Sequence, residues 1–122
     1  MAVLELNAEN FEQTILNNDF VVIDFWAPWC GPCRGFAPVY EAASEKHEDI
    51  VFAKVNTEEQ QALAAHFQVR SIPTLVIFRE KVIIYAQPGA LPAGAFDDLM
   101  LRAKEVDMAQ VHAEIAAEAN KA

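Results

Sequence analysis

Cys30 and Cys33 are the only cysteines in this chain of 122 residues, and they follow closely on an apolar run, Val21-Val22-Ile23-Asp24-Phe25-Trp26. A buried strand that ends at such a pair and leads into a helix brings both sulfurs to the helix N-terminus. There the positive end of the helix dipole and unpaired N–H groups favour thiolate. This predicts Cys30 as a nucleophile. A free thiol of pKa about 8.5 is only a few per cent ionised at neutral pH, and about two units of lowering make it mostly thiolate. Cys33 lies within disulfide reach of Cys30 and, turned toward the protein, suits a resolving role. A purely structural bridge between them is disfavoured, because cross-linking so short a loop removes little chain entropy.

The segments around the pair must form the frame that holds it. Val3-Leu4-Glu5-Leu6 reads as a short strand, and Asn7 or Asn10 as the start of a helix with Phe11, Ile15 and Leu16 on one face. Val21 to Phe25 reads as a buried strand interrupted by one acid. Phe36, Val39, Tyr40 and Ala43 have helical spacing, with Pro38 expected to kink that helix. A strand is expected over Ile50–Val55, a helix over Glu58–Phe67, and strands over Thr74–Phe78 and Val82–Ala86. The last two are joined by Arg79-Glu80-Lys81, short enough to imply an antiparallel hairpin. A further helix starts near Pro92. Strands alternating with helices and closing on a hairpin describe an α/β fold, a mixed sheet of about five strands with helices on both faces.

Length and 53% hydrophobic residues fit one domain with its own core. A formal charge of −9 argues against nucleic acid and anionic membranes, whose phosphates require clustered Lys and Arg. No run approaches a membrane span, and Met1 to Leu6 lack the basic and apolar regions of a secretory leader, so a cytoplasmic protein is expected. His47, His66 and His112 show no metal-ligand spacing with one another or with the cysteines, and no phosphate-binding loop or serine nucleophile motif occurs.

From about Val3 to Arg102 the chain resembles the thioredoxin family. The resemblance is carried by Asp24-Phe25-Trp26-Ala27 before Trp29-Cys30-Gly31-Pro32-Cys33, then Ala37-Pro38, Ala53-Lys54-Val55-Asn56, Ser71-Ile72-Pro73-Thr74 and Gly89-Ala90-Leu91. A lone pair of cysteines at this spacing is weak, whereas five segments in order are specific. The resemblance implies a thioredoxin fold over residues 1–102 and a thiol–disulfide oxidoreductase that reduces protein disulfides. It implies recharging by a thioredoxin reductase using NADPH, with no metal or cofactor held by the chain itself. It further implies that the bond before Pro73 is cis and faces the sulfurs, leaving the Ile72 backbone free to pair with an extended substrate. Trp29, Gly31, Pro32, Ile72, Pro73, Gly89 and Ala90 then form the substrate platform. Taken alone, Gly89 is equally an ordinary turn glycine, and Trp29 an exposed aromatic without consequence. The Gly-Pro pair between the cysteines resembles reducing members of the family.

Asp24 admits two readings. A carboxyl in an apolar strand should have a raised pKa and can take the proton of Cys33 through water; it can equally serve only to hydrogen-bond backbone or an indole N–H. Lys54 either tunes Asp24 or is a surface lysine at a strand end. The chain departs from its relatives at Pro28, which stiffens the approach to the motif, and at Arg79-Glu80-Lys81. Without glycine a two-residue turn with positive φ is costly, so a wider or shifted hairpin is expected. The other departure is residues 103–122, a C-terminal helical extension rather than a second domain. Phe96, Leu99, Met100 and Ala103 form one helical stripe, and Met108, Val111, Ile115 and Ala119 another, displaced around the helix. Asp107 with Gln110 resembles a capping box and Val106 with Val111 a hydrophobic staple, so a break is expected near Asp107. A last helix of about a dozen residues is marginal alone. It either docks on its own domain, on a second copy as a homodimer, or on a partner, or it frays. The alternative to an enzyme is thus a binding module whose extension recruits a partner.

Overall fold

The computed structural model describes residues 3–121; Met1, Ala2 and Ala122, with their share of the expected leader-free start, lie outside the described residues. Five strands form one sheet, β1 (Leu4–Glu5), β2 (Phe20–Trp26), β3 (Val51–Asn56), β4 (Thr74–Arg79) and β5 (Val82–Pro88), in the order β1-β3-β2-β4-β5. β2 lies at the centre, parallel to β3 and antiparallel to β4. Its residues alternate between two cores because successive strand side chains point to opposite faces. Phe20 and Val22 face one core with Phe36, Tyr40 and Ala43 of helix α2 (Gly31–Lys46) and with Phe96, Met100 and Ala103 of α4 (Ala93–Glu105). Val21, Ile23 and Phe25 face the other, where Ile15 of α1 (Phe11–Leu16) and Leu63 of α3 (Gln61–His66) pack. Covering both faces is why β2 reads as a continuous apolar run. The mixed sheet with helices on both faces is the expected architecture.

α2 continues through Pro38, which is solvent-exposed. Its far end is tied to α4 by a polar cluster. The buried His47 ring sits 3.2 Å from Asp97 through Nε2 and 3.2 Å from the Lys104 ammonium through Nδ1. An ammonium has only hydrogens to offer, so Nδ1 accepts from Lys104 and Nε2–H donates to Asp97. Lys46 donates to the same carboxylate at 2.8 Å and, with His47, holds Asp97 below the usual carboxylate range.

Four details differ from expectation. α3 is confined to Gln61–His66, because Asn56 organises a turn before it: its side chain accepts from Glu58 N, and its carbonyl from Glu59 and Gln60 N. Leu16 is exposed, beyond the reach of the core that takes Ile15. The β4–β5 connection is a two-residue turn, not a wider one, with Arg79 paired to Val82 and positive φ at Glu80 (51°) and Lys81 (69°). Register does shift, at Ile77/Phe78. Polar contacts hold this turn to its surroundings. Glu80 N donates to Asp19 O at 2.7 Å, the Glu80 carboxylate pairs with His112 at 2.9 Å, and the Arg79 guanidinium caps Ala103 O at 2.5 Å.

In the extension the expected break is present, and the difference lies in how much of the last helix docks. The chain breaks at Val106–Asp107 and resumes as α5 (Met108–Ala119), with the Asp107 side chain accepting from Gln110 N at 3.1 Å as an N-cap. Met108 is buried and Val111 half-buried, but Ile115 is 48% exposed and Ala119 is exposed, so only the first part of the second stripe docks.

The left-handed turn carries a cost of about 1–2 kcal/mol at each non-glycine residue. Lys81 has an exposed side chain. Lys81→Gly should therefore stabilise the protein by about 0.5–1 kcal/mol once glycine's own entropy cost is subtracted, read as a higher midpoint in denaturant unfolding. An unchanged or lower midpoint would contradict the conformational argument.

Candidate active site

Both sulfurs sit where β2 hands over to α2. Cys30 is the N-cap of α2, and its Sγ accepts from Cys33 N at 3.2 Å. Pro32 occupies the first turn, where a missing N–H costs nothing. Cys30 and Cys33 are joined as a disulfide with Cα atoms 5.2 Å apart. Their neighbours differ. Cys30 Sγ lies 3.8 Å from Ile72 O, whereas Cys33 lines a cavity of about 90 Å³ that also touches Asp24.

The loop across from the sulfurs carries the cis Ile72–Pro73 bond. Pro73 is buried and its carbonyl accepts from Gly89 N at 2.8 Å, which joins this loop to the end of β5. Gly89 has φ 126°, a conformation closed to other residues, so it is more than a convenient turn residue. Around these groups Gly31, Pro32 and Ala90 are exposed, Ile72 is half-buried and Trp29 is 65% exposed. The Trp29 indole donates to the Glu58 carboxylate, which fixes an otherwise free aromatic. Nothing in the sequence distinguishes Glu58 from other acids.

Asp24 is buried on the α2 side of β2, opposite Lys54 in the parallel ladder and Leu75 in the antiparallel one. Burial pushes its carboxyl up to about 7, and the nearby Lys54 charge pulls part of the way back. Lys54 is half-buried, with its ammonium 5.2 Å from the Trp26 ring centroid. Asp24 Oδ1 and Trp26 Nε1 have no protein partner, so neither satisfies the other. The cavity they share with Cys33 is large enough for water, which these two unpartnered groups can bond. A carboxyl that titrates near neutrality beside the second cysteine can accept or return a proton during disulfide exchange.

The remaining cavity wall was legible only in part. Helical spacing puts Tyr40 on the core stripe of α2, which is correct for its ring, but its hydroxyl reaches the sheet, 2.9 Å from Val22 O and 2.6 Å from Ala53 O. Arg34 and Glu41 line the same cavity. Arg34 also donates to Pro28 O at 2.9 Å, giving Pro28 a place in the approach to the motif. Among the described residues no group of three or more His, Cys, Asp or Glu is placed to hold a metal ion, and no helix is long and apolar enough to cross a membrane.

Comparison with known proteins agrees with this geometry. The thioredoxin family model matches residues 2–102. A protein of Streptomyces coelicolor named for thioredoxin is 53% identical over 115 residues, spanning 94% of this chain and 86% of that one. The matched stretch is too long to stop at residue 102 and takes in part of the extension. A thioredoxin of Porphyra purpurea is 40% identical over 82% of this chain and 95% of its own. Among solved structures, a Plasmodium falciparum thioredoxin superposes with TM-score 0.77 at 30% identity, covering 82% of this chain and 98% of that one. A mutant thioredoxin from Halobacterium salinarum gives TM-score 0.77 at 33% identity, covering 87% and 97%.

The raised Asp24 pKa fixes the sign of a stability effect. Between the unfolded value near 4 and the folded value about 7 the native state binds more protons than the unfolded state, so the carboxyl's contribution to stability falls as pH rises through that window. Asp24→Ala should stabilise the oxidised protein little at pH 4 and by up to about 4 kcal/mol at pH 8, cavity costs aside. Denaturant unfolding at the two pH values checks this; a pH-independent difference would contradict it.

Proposed function

This chain belongs to the thioredoxin family and is a thiol–disulfide oxidoreductase, and we propose that it is a general reductase of protein disulfides with Cys30 as nucleophile and Cys33 as resolving thiol. The observation that carries the assignment of roles is the difference in surroundings. Cys30 faces the exposed platform and a backbone carbonyl, and Cys33 faces the Asp24 cavity.

Cys30 thiolate attacks a substrate disulfide, forming a mixed disulfide and releasing one substrate sulfur as thiolate. Cys33 passes its proton to the Asp24 carboxylate through water and attacks Cys30 Sγ, which releases the second substrate sulfur and leaves the internal bridge. Lys54 tunes Asp24 by its charge. Trp29, Gly31, Pro32, Ile72, Gly89 and Ala90 receive the substrate, with Pro73 keeping the Ile72 backbone open beside the sulfurs. The partners are disulfide-bearing proteins and a thioredoxin reductase. The chain carries no metal or cofactor of its own, and NADPH acts only through that reductase. Residues 1–102 are the working domain, residues 103–122 an appendage to it, and the site of action is the cytoplasm.

A second reading concerns the appendage. Ile115 on α5 is 48% exposed, an apolar side chain that its own domain does not cover, and this supports a role for α5 in dimerisation or partner recruitment. Sedimentation of the chain with and without residues 107–122 separates this from a solvated tail: a dimer lost on truncation supports it, and a monomer in both forms removes the homodimer.

Insulin-disulfide reduction with NADPH and a thioredoxin reductase tests the main reading. Cys30→Ser should abolish turnover, and Cys33→Ser should accumulate a mixed disulfide that resolves slowly if at all. Pro73→Ala should slow exchange by about tenfold or more, the scale of a misplaced reacting group. An inert dithiol in the unmutated chain would leave the binding module.

A further inference from the structure

The cavity beside Cys33 runs from the core to the surface of α2. Asp24 stands at its inner end, 5% exposed and with Oδ1 lacking a protein partner. Arg34, Ala37 and Glu41, all exposed, bring α2 to its outer end. Their spacing of three and four puts them in one row on the helix surface. Ala37 also lies four residues after Cys33 and three before Tyr40, both of which are buried and line the same cavity. The border between the buried and the exposed face of α2 thus passes through Ala37, where the helix places a single methyl group. Across from it the wall is formed by Val3 and Lys54, both half-buried.

The volume of about 90 Å³ is several times the roughly 10–15 Å³ that one water needs, so a short file of waters can join the Asp24 carboxyl to solvent past Ala37. Such a path matters for turnover. A proton that Asp24 takes from Cys33 must be given up before Asp24 can serve again, and the Lys54 ammonium beside it has no site to accept one. We propose that Ala37 is a positioning residue for disulfide exchange: its small side chain leaves a water path open between α2 and the wall of Val3 and Lys54, and the proton that Cys33 gives to Asp24 leaves to solvent along it. The Cys33 thiol loses its proton as its sulfur bonds to Cys30, Asp24 passes from carboxylate to acid, and water carries the proton to the bulk and restores the carboxylate. The charged groups facing this path are Lys54 of β3 and Arg34 and Glu41 of α2, beside the unpartnered Trp26 indole of β2 and the neutral Tyr40 hydroxyl. The inference rests on the reading of Asp24 as the proton acceptor.

A helical side chain leans toward the N-terminus of its helix, so a longer one at position 37 folds back over the turn that holds Cys33 and Arg34. Ala37→Leu in the full chain should therefore close the path and leave every charged group in place. Loss of water disfavours the carboxylate. The Asp24 pKa, read by carboxyl ¹³C NMR in the oxidised protein, should rise by about one unit, a fraction of the roughly three to five that complete burial can produce. The inflection in the pH dependence of mixed-disulfide resolution should rise with it. Ala42→Leu adds the same bulk at an exposed position of α2 outside the cavity lining and should leave both in place. Ala37→Met, with a more flexible chain, should act in the same direction and covers the case in which Ala37→Leu folds badly. An Asp24 pKa unmoved or lowered in both Ala37 variants, or raised equally by Ala42→Leu, overturns the inference. A raised pKa with an unmoved resolution profile supports the water path and overturns instead the role of Asp24 as acceptor.

Discussion

One carboxyl inside a strand that is otherwise wholly apolar is the constraint around which this molecule is arranged. β2 must be buried on both faces to sit at the centre of the sheet, and Asp24 is carried into that burial with it. A charge there is opposed by desolvation, which a neutral acid avoids. The surroundings are consistent with a group kept near its titration point rather than fixed in either form. Lys54 acts at a distance, Trp26 leaves its N–H unspent, and a small cavity admits solvent without opening the core. The cost falls on stability, and under the proposed mechanism the benefit appears only when a sulfur on the neighbouring helix must lose a proton.

The two cysteines show how position divides labour between chemically identical groups. Their residue exposures are nearly equal, 4% for Cys30 and 3% for Cys33, so access alone cannot assign them. The helix does. As N-cap, Cys30 receives the Cys33 N–H on its sulfur, an interaction that strengthens when that sulfur is anionic. Cys33, one turn in, has left the helix end and meets the Asp24 cavity instead. The cis-proline loop and Gly89 complete the outer side, and the bond from Gly89 N to Pro73 O makes these two loops one surface.

What the sequence disclosed followed physical scale. An unbroken apolar run was enough for β2, helical spacing for the stripe of α4, and a displaced second stripe with a capping pair for the break at Asp107, because each extends over several residues. The cis bond at Pro73 and the platform were legible only through family resemblance, since no local pattern distinguishes that proline from a trans one. Tyr40 was placed on its helix face, yet its hydroxyl meets strands distant in the chain, and spacing along a helix carries no information about where a phenol ends. The turn at Glu80-Lys81 misled for the opposite reason. Local conformational preference forbids it, and contacts from Asp19 and His112, both remote in sequence, accompany it. Leu16 and Ile115 carry the right periodicity but lie past the end of what their helices can bury.

Those same contacts at the hairpin give the molecule a polarity of a different kind. Thr74, at one end of β4, adjoins the cis-proline loop, and Arg79, at the other, caps the end of α4 while Glu80 holds α5. The C-terminal helix is therefore fastened a strand's length away from the reacting sulfurs. Cargo fused beyond it, or a solid support coupled through it, would leave the dithiol facing outward, so this end of the chain is a natural handle for immobilising an active redox protein.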